Sequence, residues 1–144
     1  MRNSLFLIIM ILAACTGKKA VQEDGNSPMK FEQYLVEGQR LYQMHCANCH
    51  QADGQGLGKL YPPLASSDYL KDSLDKVPCI IKKGLNGKVL VNGVEYNQPM
   101  PPNPNLTPLE IAEIVTYVAN SWGNESGMVE VTAVSAALKD CTSN

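Results

Sequence analysis

Five consecutive residues, Cys46-Ala47-Asn48-Cys49-His50, carry the strongest chemical signal in the chain. Two thiols separated by two residues and followed at once by an imidazole form the C-x-x-C-H signature of covalent haem attachment. Each thiol adds to one haem vinyl group to give a thioether, and the adjacent histidine is brought under the iron as proximal ligand. Two other chemistries share part of this pattern. Half of a zinc site would need two more ligands at suitable spacing, and only the scattered Cys79, Cys141 and His45 remain. A C-x-x-C redox pair belongs at a strand-to-helix junction of a βαβ unit, whereas the residues upstream of Cys46 repeat at helical spacing.

That helix is what must position the motif. Phe31, Tyr34, Leu35, Gly38, Leu41 and Tyr42 follow an i, i+3, i+4, i+7 rhythm, so an amphipathic helix leads into Cys46. His45, just outside the motif, is expected as a solvated or hydrogen-bonded helix-end residue. A proximal histidine leaves one axial position, where a methionine thioether raises the potential and closes the iron to other ligands. Met29, Met44, Met100 and Met128 are the candidates. Met44 is too near the motif to cross to the opposite haem face, Met29 lies in a polar spacer, and Met128 lies in a Gly- and Ser-flanked stretch. Met100 sits in Gln98-Pro99-Met100-Pro101-Pro102, where prolines stiffen the loop and lower the entropy cost of holding the sulfur. The competing role for a loop methionine is hydrophobic packing.

Other elements are legible locally. Thr107-Pro108-Leu109-Glu110 is a capping box with proline at the first helical position. It opens a helix with Ile111, Ile114, Val115 and Val118 on one face and Gly123 as its stop signal. The segment from Ser67 to Gly84 is expected to hold short helical pieces, and Lys88 to Tyr96 alternates around Asn92-Gly93, the signal for a two-strand hairpin.

With these residues in place, the chain over residues 31–123 resembles the class I cytochromes c. That family has a glycine eight residues and an aromatic four residues before the first haem cysteine, matched here by Gly38 and Tyr42. It has a proline twelve residues after the haem histidine whose carbonyl accepts the imidazole Nδ1 proton, matched by Pro62. An aliphatic and an aromatic residue follow the methionine ligand at fixed spacing, matched by Ile114 and Tyr117. The resemblance implies an all-α cytochrome c fold: short helices wrapped around one covalent haem, with a small β-hairpin before the methionine loop. It also implies that Pro62 orients the histidine ring and raises its basicity. The hairpin and the run from Ala119 to Asn124 are similar to cytochrome c domains attached to periplasmic nitrite reductases and alcohol dehydrogenases.

The N-terminus reads as an address. Arg2 precedes the apolar run Leu5 to Leu12, too short for a transmembrane helix, and Leu12-Ala13-Ala14-Cys15 resembles the lipobox of bacterial lipoproteins. The organisation expected is a signal peptide (1–14), a flexible spacer tethered by acylated Cys15 (15–30), the cytochrome domain (31–123) and a C-terminal extension (124–144). An ordinary cleaved signal beside an unrelated cysteine is the alternative. Removing residues 1–14 leaves 11 basic against 14 acidic residues, a formal charge of −3. A mildly acidic chain lacks the electrostatic footprint for nucleic acid. Subtracting the anchor and the two attachment thiols leaves Cys79 and Cys141, an even remainder expected as a disulfide in an oxidising compartment, or else as two unrelated cysteines.

The expectation is therefore an electron-transfer protein and not an enzyme. It would be a lipoprotein of the bacterial cell envelope, facing the periplasm or exterior and held to the membrane by its lipid. With both axial sites filled it would exchange single electrons with redox proteins and take no small-molecule substrate. A permanently bound cytochrome subunit of a larger dehydrogenase or reductase is the alternative. A haem enzyme or gas sensor with a displaceable methionine is a further one.

Overall fold

The structure, a computed structural model, describes residues 27–141. The expected signal peptide, the candidate anchor Cys15 and residues 16–26 lie outside them. The elements are α1 (Pro28–His45), α2 (Ala47–His50), α3 (Asp68–Asp72), α4 (Val77–Lys83), β1 (Val89–Val91), β2 (Val94–Tyr96), α5 (Pro108–Val118) and α6 (Val131–Lys139), with a 3-10 turn at Leu74–Lys76. Among the described residues no helix is long and apolar enough to cross a membrane.

Helix α1 starts at Pro28 rather than at Phe31. The Ser27 hydroxyl accepts a hydrogen bond from the Lys30 amide at 3.3 Å, and Pro28 takes the first helical position, where its missing N–H costs nothing. Residues 28–30, expected in the spacer, form the first helical turn instead. At the other end of the fold, Thr107 and Glu110 make the expected reciprocal box at the start of α5.

Helices α1 and α5 pack on one another more extensively than any other pair. Their approach depends on Gly38, where an added Cβ would lie 2.1 Å from the Glu113 carbonyl oxygen and 2.8 Å from Tyr117 Cβ. The seam carries the deepest core residues, including Leu41, Tyr42, Ile111, Ile114 and Val115, each at most 1% exposed.

The hairpin pairs Val89 with Tyr96 and Val91 with Val94 across the two-residue turn Asn92-Gly93. Both turn residues have positive φ, 50° and 76°, as a type I′ turn demands. The tip is pinned to α3, because the Asn92 amide donates to Asp68 Oδ1 (2.7 Å) and the Asp68 amide donates to Asn92 Oδ1 (3.0 Å).

Helix α5 ends at Val118, five residues before Gly123. The Asn120 side chain closes it: its Nδ2 donates to the Thr116 and Gly127 carbonyls, and its Oδ1 accepts from the Ser126 and Gly127 amides. Gly123 instead occupies the following turn at φ 90°. The C-terminal extension, for which the sequence suggested no structure, folds back as α6 and buries Val134 completely against the core. Several bonds fasten it. The Val129 amide donates to Thr116 Oγ1 (3.0 Å), Lys30 pairs with Glu130 (2.7 Å), and Cys79 and Cys141 form a disulfide with Cα atoms 5.7 Å apart.

Two measurements check this account. Gly38→Ala should destabilise the protein by about 3 kcal/mol in denaturant titrations, since the new methyl meets backbone that cannot rotate away. Replacing Cys79 and Cys141 together by serine should cost up to about 4 kcal/mol in the same titration, the chain-entropy value for a loop of this length.

Candidate functional site

The site begins where α1 stops. The Cys46 amide still donates to the Tyr42 carbonyl (2.8 Å), and the single turn α2 brings His50 back over Cys46, with the His50 amide donating to the Cys46 carbonyl (3.0 Å). Cys46 and Cys49 are both unpaired. The disulfide uses the other two described cysteines, so this pair stays available for thioether formation. His50 is buried, and its Nδ1 lies 3.0 Å from the Pro62 carbonyl oxygen. A carbonyl only accepts, so Nδ1 carries the proton and Nε2 keeps its lone pair. Burial pushes the His50 pKa below its ordinary value, with the Pro62 carbonyl acting the other way. The neutral ring is the form that binds a metal. Burial likewise pushes the Cys46 thiol up to about 12.

Glycines bring the Pro62 carbonyl to the ring. The Gly56 amide donates to the His50 carbonyl (2.9 Å), and a Cβ on Gly56 would fall 2.7 Å from the Pro62 carbonyl. The Gly54 carbonyl accepts from the Leu64 and Ala65 amides, while its Cα faces the Trp122 ring so closely that a Cβ would sit 2.4 Å from it. Trp122 packs against Tyr42 at a tilt and against Tyr117 edge-on, the three ring centroids 5.1 to 5.5 Å apart. Asn124 ties the same segment to α5 by donating to the Leu64 and Val118 carbonyls.

Cys46, His50 and Pro62 open onto a cavity of about 680 Å³, open in part to solvent, whose other walls are aliphatic apart from Ser67 and Tyr69. Ile114, Val118, Leu70 and Ile81 line it, as does Met100. An adjoining cleft of about 620 Å³ shares Cys46, His50 and Met100 and reaches outward to Cys49, His45 and Gln98. Of the four candidate methionines only Met100 lines either space together with His50. Met29 and Met44 are exposed on α1, and Met128 packs against the core. Met100 is held through its backbone, donating to and accepting from Leu85 at 2.9 and 3.0 Å. Gly84 approaches so closely that a Cβ there would lie 2.5 Å from the Met100 carbonyl oxygen. His45 is exposed at the outer rim.

A flat apolar group anchored by two thiols and approached by an imidazole nitrogen and a thioether suits this cavity. The family model for Cytochrome c matches residues 35–122, more than half of the chain. The chain belongs to the cytochrome c family. Its cofactor is accordingly haem c, attached covalently at Cys46 and Cys49. Among similar proteins, cytochrome c-552 of Thermus thermophilus is 33% identical over 95 residues, covering 62% of this chain and 70% of the relative. Cytochrome c-551 of Bacillus subtilis is 34% identical over 79 residues, 55% of this chain and 68% of the relative. The cytochrome c subunit of a quinone alcohol dehydrogenase from Gluconacetobacter polyoxogenes is 27% identical over 118 residues, covering 73% of this chain but only 23% of that subunit.

Several contributors escaped the sequence. Leu85 acts through its backbone and Asn124 through side-chain bonds to distant carbonyls, and nothing in their residue types marks those roles. Ser67 and Tyr69 follow the proline pair but match no motif. Gly54 and Gly56 are visible as a glycine-rich turn, whose target becomes clear only with Trp122 and Pro62 in place. In the parent the His50 Nδ1 proton should exchange slowly in NMR spectra, and Gly56→Ala should displace the Pro62 carbonyl so that this proton exchanges at least about tenfold faster for loss of a hydrogen bond. Gly58→Ala, whose Cβ meets nothing within 4 Å, should leave that proton protected.

Proposed function

We propose that this cytochrome c passes single electrons between redox proteins, with its iron held between His50 Nε2 and Met100 Sδ. The observation that carries this reading is the presence of both side chains in one apolar cavity, Met100 alone among the candidate methionines. When bound, the haem supplies a one-electron iron couple. The chain's own residues set the terms of that couple. The Pro62 carbonyl fixes the His50 ring and makes it a better donor. As a ligand, Met100 would favour the reduced state and, with His50, would leave no coordination position for substrate. The aliphatic walls contributed by α4 and α5 offer water no hydrogen-bond partner. A filled coordination sphere suits electron exchange rather than transformation of a bound molecule.

Partners follow from this chemistry as redox proteins met at the exposed rim near Cys49 and the methionine loop. Such encounters are small and transient, and charge complementarity chiefly governs their on-rate. The N-terminal sequence supports a place in the bacterial cell envelope, with Cys15 acylated and residues 16–26 spacing the domain from the membrane. Several acyl chains on one cysteine would hold it stably, since a single chain binds only marginally. A second arrangement, in which the chain is a standing subunit of a larger dehydrogenase, draws support from the 118-residue similarity to the alcohol dehydrogenase cytochrome subunit. Co-purification of the full-length protein with a dehydrogenase through repeated chromatography would favour it over a free shuttle.

The ligand assignment is tested by absorption spectra of the parent and of Met100→Ala. The oxidised parent should show the weak long-wavelength charge-transfer band of sulfur-ligated haem, and the variant should lose it. The reduced variant should bind carbon monoxide rapidly while the reduced parent resists it. A parent without the band, or a variant that keeps it, would remove Met100 from the iron.

A further inference from the structure

The loop that carries Met100 is unusual in what it lacks. Pro99, Pro101, Pro102 and Pro104 have no amide proton, so this stretch has carbonyls to satisfy and few donors of its own. Besides an internal bond from the Leu106 amide to the Asn103 carbonyl, the hydrogen bonds that hold it among the described residues come from α4 or from the residues just after that helix. The Asn103 amide donates to the Ile81 carbonyl at 2.9 Å, and Met100 exchanges two backbone bonds with Leu85. The remaining tie is made by a side chain. Lys82 Nζ donates to the carbonyls of both Pro104 and Leu106, each at 2.7 Å.

We infer that Lys82 is a positioning residue for the Met100 sulfur, acting as the external donor that a proline-stripped loop requires. The inference rests on the reading of Met100 as ligand. An ammonium group meeting two backbone carbonyls makes charge-assisted bonds, which are stronger than neutral ones. Its stem is half-buried, and its position in the last turn of α4 suits a cation at a helix C-terminus. The neighbouring lysine serves a different segment. Cys79 on α4 is bonded to Cys141, and the next lysine, Lys83, turns to that strap and donates to the Cys141 carbonyl at 2.6 Å. Adjacent lysines thus grip different segments: Lys82 the methionine loop, Lys83 the C-terminal strap. This pair allows one to serve as control for the other.

The test uses the full holoprotein in its oxidised form and imidazole as an added ligand that competes with Met100 for the iron, followed by absorption spectroscopy. Lys82→Met keeps the aliphatic stem and removes the donor, and should raise imidazole affinity about tenfold, the equivalent of one charged hydrogen bond lost from the loop. Lys82→Arg, which can still donate to both carbonyls, should restore affinity to within about threefold of the parent. Lys83→Met should leave it within about twofold, as expected for a surface change away from the loop. Equal affinity in Lys82→Met and the parent, or an equal rise in Lys83→Met, would overturn the inference. If Lys82→Met does not accumulate with haem, Lys82→Gln gives the same reading with a neutral side chain. Failure of the underlying ligand assignment is separately visible, because Met100→Ala would then bind imidazole no better than the parent.

Discussion

Everything at the haem site depends on two helix backbones being able to touch. Gly38 lets α1 rest against the Glu113 carbonyl and the base of Tyr117, and no side chain, however small, fits between them. That contact fixes the end of α1, and with it Cys46, relative to α5, which supplies Ile114 and Val118 to the cavity wall. Tyr42, one helical turn along from Gly38, then reaches Tyr117 and Trp122, and its hydroxyl donates to the Gln51 carbonyl at 2.6 Å. Gln51 has a positive φ of 64°, a conformation that needs such external support in a residue with a side chain. One steric allowance is therefore passed from the helix seam to the loop that follows the histidine.

Electrostatics reinforce this geometry. The interior is almost wholly aliphatic, and among the described residues no buried side-chain nitrogen or oxygen lacks a hydrogen-bond partner. Burial pushes the functional imidazole toward its neutral form, and a backbone carbonyl, which does not titrate, aims it. With few polar groups in the walls, changes in wall polarity or in the basicity of the ligating residues would tune the potential of a bound haem.

The sequence shows the parts of this machine whose chemistry is local. Cys46 to His50 is a contiguous motif, Thr107 to Glu110 a contiguous capping box, and Asn92-Gly93 a turn set by its own dihedral preferences. Met100 is legible because prolines frame it, and Pro62 because a family spacing points to it. What escapes is long-range backbone chemistry. Ser27 caps α1 although it lies in a stretch that reads as a spacer. Asn120 ends α5 earlier than Gly123 suggests, because a side chain with two donors and two acceptors outcompetes a glycine signal. Helix α6 has a real apolar face, but its value becomes apparent only when α5 offers a surface for Val134. Lys82 resembles any solvated lysine until two carbonyls arrive from a loop some twenty residues away.

The four described cysteines pose a sorting problem during synthesis. Four free thiols allow three complete pairings, and the cost of closing a loop rises with its length. The native bond joins Cys79 to a partner 62 residues away, whereas Cys46 and Cys49 are nearer to each other and to Cys79. An oxidant acting on the bare chain would favour the short Cys46–Cys49 loop, which leaves Cys79 and Cys141 to each other but consumes both thiols that the cofactor needs. Once Cys46 and Cys49 are committed as thioethers, which do not exchange with thiols as disulfides do, only one pairing remains. Thioether formation at Cys46 and Cys49 thus removes the two crossed pairings, and it requires that these two thiols be still reduced when the cofactor arrives.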